Sequence, residues 1–141
     1  MLRTVYAMYN HLRLGRPYYV LPVIATAVAG YWSGSNVPPV CANAGIVCLV
    51  FLLLGMTCWA ANEITDRHSD SRGRTKMKWG LYVSGGTTIV SSGMVSVKSA
   101  VIYVIILATA GLSIAASLGI TFWGLSALFL LIGLAYSVKP V

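Results

Sequence analysis

Apolar residues run almost without interruption over two long stretches, and the polar ones are gathered between and around them. Nothing ionises between Pro17 and Ala61 except thiols and phenols, and nothing does so between Ser99 and Val138. A helix that crosses a bilayer needs about 20 mostly apolar residues, so each stretch has room for two such helices, and four spans are expected. The first is placed at about residues 17–32, with a kink expected at Pro22. It is followed by the turn "SGSNVPP", whose Gly, Asn and paired Pro cannot continue a helix. The second is placed at 40–61 and carries its helical register on into the polar segment beyond. The third and fourth, at about 99–117 and 120–137, make a tight hairpin broken at Gly119. The fold class that follows is all-α, a polytopic membrane protein with a single transmembrane helical domain over residues 1–141. A loop at about 62–98 holds the Gly/Ser/Thr-rich segment from Gly80 to Ser96.

Composition agrees with a membrane setting. The chain is 57% hydrophobic and only 9% charged, against roughly 45–50% and about 25% in ordinary soluble domains. Its basic residues are placed unevenly. Arg3, Arg13 and Arg16 precede the first span; Arg67, Arg72, Arg74, Lys76, Lys78 and Lys98 lie between the second and third; Lys139 follows the fourth. Four spans put all of them on one face. Cytoplasmic loops are the Lys/Arg-rich ones, so both termini are expected to be cytoplasmic, at the cell membrane. The net charge of +7 is accounted for by this asymmetry and by attraction to anionic lipid, worth about 1 kcal/mol per basic residue near the surface. No nucleic acid partner is needed. Ala27-Val28-Ala29 has the form of a signal-peptide cleavage site, but three further apolar spans follow it where a secreted domain would stand. Cys41, Cys48 and Cys58 lack metal-site or disulfide spacing and read as small packing residues. Gly111, Ala115 and Gly119 recur every fourth position, the small-residue pattern that lets helices approach closely.

All three acids of the chain fall within "NEITDRHSD". Asn62, Asp66 and Asp70 are spaced i, i+4, i+8, which on a helix stacks three oxygen-bearing side chains along one face, with Glu63 pointing elsewhere. Two aspartates so placed repel one another and oppose the dipole at a helix C-terminus, so something positive should compensate. Two answers fit the spacing. One is a solvated helix end, with Glu63 paired to Arg67 and Asp70 screened by Arg72 and Arg74. The other is a hard divalent cation such as Mg²⁺, which takes oxygen ligands and is commonly shared with substrate phosphates.

"NEITDRHSD" is similar to the first aspartate-rich motif of the UbiA superfamily of intramembrane prenyltransferases, N-x-x-x-D-x-x-x-D. The stretch "RLGRPYYVLPVIATAVAGYW" resembles that family's first-helix signature, and "SGMVS" and "AYSVKP" resemble its recurring Ser-Gly-x-x-Ser and Tyr-Ser segments. The resemblance implies the first part of a nine-helix bundle whose active site opens to the cytoplasmic face. It implies transfer of a prenyl group from an isoprenyl diphosphate to an acceptor, with Mg²⁺ drawing charge from the leaving diphosphate. "YSVKPV" and the Gly-rich loop lean toward a quinone precursor as that acceptor. By position, Asn62, Asp66 and Asp70 would hold the metal, with Asp66 and Asp70 the catalytic carboxylates. Arg16 and Tyr136 would line the pocket; Lys76, Lys78 and Lys139 would contact phosphate or serve only as anchors on the inner face. Family members carry a second aspartate-rich motif in their second half, and this chain has no further acid. The expectation is therefore half of a site, completed by a complementary C-terminal half or by self-association, or else left inactive in a truncated fragment. A rival reading is a non-catalytic four-span protein, such as a small transporter subunit or an assembly factor. The absence of acids from spans one, three and four counts against a transporter, because proton-coupled transport needs an ionisable group inside the membrane.

Overall fold

The computed structural model describes residues 2–34, 41–72 and 89–137. Every regular element among them is helical: α1 (Leu2–Gly15), α2 (Pro17–Gly34), α3 (Cys41–Arg72), α4 (Val97–Ala116) and α5 (Ile120–Ser137). Three of these are long and apolar enough to cross a membrane, over Asn43–His68, Val97–Ala116 and Ile120–Ser137, and Pro17–Gly30 is a shorter apolar helix. α3 does not stop where its apolar run ends, and so carries Asn62 and Asp66 on regular helix. The turn residues 35–40 and most of the loop, residues 73–88, lie outside the described set.

α3 is the centre of the bundle and packs against every other helix. Its contacts give the directions of its neighbours. Tyr19 lies beside Trp59 and Val20 against Gly55, with Val23 and Ile24 in one cluster with Leu52 and Leu53, so α2 runs antiparallel to α3. Ala100 packs near Ala60 and Ala115 near Val50 and Leu54, so α4 is antiparallel too. Phe122 meets Phe51 edge-on and Gly133 touches Cys58, so α5 runs parallel to α3. This alternation brings the α1/α2 junction, the end of α3, the start of α4 and the end of α5 to one end of the bundle.

Two local devices hold these elements. Ser96 caps α4, its Oγ accepting from the Ser99 amide, a contact worth about 1 kcal/mol. Gly119 turns α4 into α5 at φ +105°, a region that side-chain-bearing residues rarely enter. Of the small residues on α4, Gly111 and Ala115 face α3, while Gly119 serves the turn. A Cβ on Gly111 would come within 2.7 Å of Leu54 Cδ2, whereas one on Gly124 would meet nothing within 4 Å. Gly111→Val is therefore expected to destabilise the bundle by about 1–3 kcal/mol, and Gly124→Val by much less, read as detergent-solubilised unfolding midpoints. Equal midpoints for the two variants would show that α4 does not pack on α3 through this position.

The sequence pattern predicts no helix at α1, whose Arg3 and Arg13 read there only as basic residues preceding the first span. It ends at Gly15, packed tightly on Met56. Arg16 then takes φ +46°, an unusual conformation for a residue with a side chain. Pro17 explains the position of the break. Its ring disfavours the α region for the residue before it, while its own fixed φ suits the first position of a new helix.

Candidate functional site

The break at Arg16 turns its guanidinium into the bundle. Arg16 Nη2 donates to Glu63 Oε2 at 3.0 Å, and both side chains are almost fully buried. The second carboxylate oxygen, Glu63 Oε1, accepts from the backbone amide of Ile89 at 2.9 Å. One carboxylate thus ties the α1/α2 junction and the turn before α4 to α3. The guanidinium carbon also lies over the Trp59 ring, 5.1 Å from its centroid, and over that of Tyr19 at 5.9 Å. Both carboxylate oxygens are satisfied and rings cover the guanidinium face, while Arg16 Nε is buried without a hydrogen-bond partner among the described residues; an ion pair so enclosed is a rigid fixture. Where local spacing offered Arg67 to Glu63, the structure gives it Arg16, and Arg67 donates to the Ile64 carbonyl at 2.9 Å.

With Glu63 anchored inward, the adjacent face of α3 turns out of the core. Asn62 Nδ2 donates to Asp66 Oδ2 at 3.0 Å, and both residues are half-buried. Asn62 of this pair lines a groove of about 350 Å³ between α3 and α5, and Asp66 lies one turn beyond its lining. Cys58, Trp59 and Asn62 line it from α3; Phe129, Ile132 and Tyr136 line it from α5. The groove exists because Gly133 sits against Cys58, where any Cβ would collide with Sγ. Its size falls in the range of small-molecule sites, about 300–1,000 Å³, and its wall is apolar, as most of the lining of such sites is.

The residues singled out from sequence are placed as follows. Asn62 and Asp66 are in contact, and Tyr136 lines the same groove as Asn62. Arg16 is buried one layer behind, stacked on Trp59, which lines the groove. Asp70 lies on α3 one turn past Asp66, and its side chain is outside the described set. Lys76, Lys78 and Lys139 also lie outside it. Among the described residues no three His, Cys, Asp or Glu side chains gather as a metal cluster. The donors that are present suit a hard cation nonetheless. A carboxylate and a carboxamide already within hydrogen-bond distance can turn both oxygens toward one ion, and oxygen ligands are what Mg²⁺ takes.

What the sequence missed is the role of Glu63. Its place about 60–100° around the helix from Asp66 and Asn62 sets it off their face, but that alone gives neither its burial nor the cation that a buried carboxylate needs.

Among protein families, the UbiA prenyltransferase family matches this chain over residues 20–140. No curated protein and no solved structure matched it.

Proposed function

The chain belongs to the UbiA prenyltransferase family, and from that premise we propose that the groove between α3 and α5 receives an isoprenyl diphosphate. The observation that carries the reading is Asn62, in the wall of an apolar groove and hydrogen-bonded to Asp66 one turn beyond it. A polar head and an apolar tail are the two halves of such a substrate. Asn62, Asp66 and Asp70 would hold Mg²⁺ at the head, where the ion would supply Lewis-acid charge to the leaving diphosphate.

The remaining steps belong to the chain's own side chains. Asp66 and Asp70 supply the negative charge that binds the cation, and Asn62 orients Asp66. Trp59, Phe129 and Ile132 exclude water from the carbon that loses its diphosphate, so that the acceptor is what captures it. Lys76, Lys78 and Lys139 would give charge-assisted contacts to the phosphates. The acceptor is proposed to be an aromatic quinone precursor, entering beside Tyr136. A family site with two aspartate-rich motifs needs carboxylates beyond the one cluster in these residues, to be supplied by a complementary half or by a second copy. α2 is proposed as a fourth span alongside α3, α4 and α5, with the Lys/Arg-bearing end cytoplasmic.

The test is equilibrium binding of farnesyl diphosphate to the detergent-purified chain. Binding should saturate with Mg²⁺ and be abolished by EDTA, then return when Mg²⁺ is restored. Binding of equal strength with and without the metal, or none at all, refutes the reading and leaves a non-catalytic membrane protein.

A further inference from the structure

α1 lies outside the residues matched by the family, and none of the chemistry above uses it. It is held to the bundle by one side and towards one end. Leu14 is buried in a cluster with Ala60 and Ala100, and His11 Nε2 meets Ser99 Oγ at 2.8 Å, with its ring edge-on to Tyr103. The opposite face is uncovered. Val5, Tyr6, Met8, Tyr9 and Leu12 are all more than half exposed, and at about 100° per residue they occupy one arc of about 160°. Arg13 lies within that arc, its guanidinium 5.6 Å from the centre of the Tyr9 ring.

From this arrangement we propose that α1 is an interfacial helix, docked on the anionic headgroup layer of the bilayer at the inner end of the bundle. Three features favour lipid as the occupant. Tyrosine and arginine among aliphatic side chains are the residues that settle at headgroup level. No acid occurs from Leu2 to Gly15, while Arg3 and Arg13 do, so the helix complements a negative surface. Its attachment to Ser99 and Tyr103 holds it at the start of the apolar helix α4, where a bilayer's hydrocarbon would begin. A crevice of about 440 Å³ between α1 and α4, lined by Ala7, Met8, His11, Leu12 and Tyr103, gives an acyl chain room to enter beneath the helix. The break at Arg16 takes α1 off the axis of α2, as a helix lying along a surface requires.

The full chain is reconstituted in nanodiscs of phosphatidylcholine, with and without phosphatidylglycerol. Spin labels at Val5→Cys, Met8→Cys, Leu12→Cys and Asn10→Cys, with Cys41, Cys48 and Cys58 replaced by alanine, report accessibility to oxygen and to a water-soluble nickel complex. The three outward positions should favour oxygen several-fold more than Asn10 does. Amide exchange of the unmutated chain supplies a readout without substitutions: exchange across α1 should slow on the order of fivefold when phosphatidylglycerol is present, and Arg13→Glu should diminish that response. Outward labels as open to nickel as Asn10 would overturn the proposal. So would shielding from both reagents, which would mean a protein cover, or exchange indifferent to the anionic lipid.

Discussion

Glu63→Ala is expected to destabilise the helical bundle by about 3–5 kcal/mol, because it leaves the buried guanidinium of Arg16 without its counter-charge. Arg16 and Glu63 are 4% and 2% exposed, so solvent cannot replace the lost partner. The Ile89 amide loses its acceptor as well. The double replacement Arg16→Met with Glu63→Met should recover part of the loss, since exchanging a whole buried pair for apolar groups is often close to neutral. About 1–3 kcal/mol should stay lost, the cost of the orphaned Ile89 N–H. Unfolding in mild detergent followed by helical circular dichroism measures all three proteins. A Glu63→Ala midpoint equal to that of the parent chain would show the pair to be solvated and the anchoring role mistaken.

The same residue marks the boundary of what could be read without coordinates. The apolar helices α3, α4 and α5 were legible because uncharged runs of that length have no soluble use, and because Gly119 interrupts the second run at the only suitable place. The Asn62/Asp66 face was legible because i, i+4 spacing on a helix is local geometry. Glu63 was not, since its partner stands 47 residues earlier, and a local rule naturally offers Arg67 in its place. α1 escaped for a different reason. Tyrosines and arginines interleaved with aliphatics give no long apolar run to mark a helix, and only packing against α3 and α4 shows which side of it is covered. Gly111 and Gly133 illustrate the same limit from within the helices. A four-residue repeat announced that α4 would approach a neighbour closely, but nothing comparable flagged Gly133, whose contact with Cys58 shapes the groove.

Asp66→Asn is expected to weaken Mg²⁺-dependent binding of an isoprenyl diphosphate by about 100-fold or more while leaving the unfolding midpoint nearly unchanged. The magnitude follows from metal sites in general, where changing a residue that merely supports a ligand already costs about 10–100-fold in affinity, and Asp66 is proposed as a ligand itself. The unchanged stability follows from geometry. Asparagine keeps an oxygen to accept the 3.0 Å bond from Asn62 Nδ2, and the position is only half-buried, so the substitution removes the charge at little cost in packing. Glu63→Ala, one turn back and facing inward, should lower stability first and affect binding only through the fold. Two acids three residues apart on one helix are thus assigned opposite tasks, one to hold the helix in place and one to meet the ligand. Titration calorimetry with farnesyl diphosphate, set beside the unfolding curves, separates them. If Asp66→Asn bound the diphosphate with parental affinity in the presence of Mg²⁺, the outward face of α3 would not be a metal site, and the groove beside it would need another occupant.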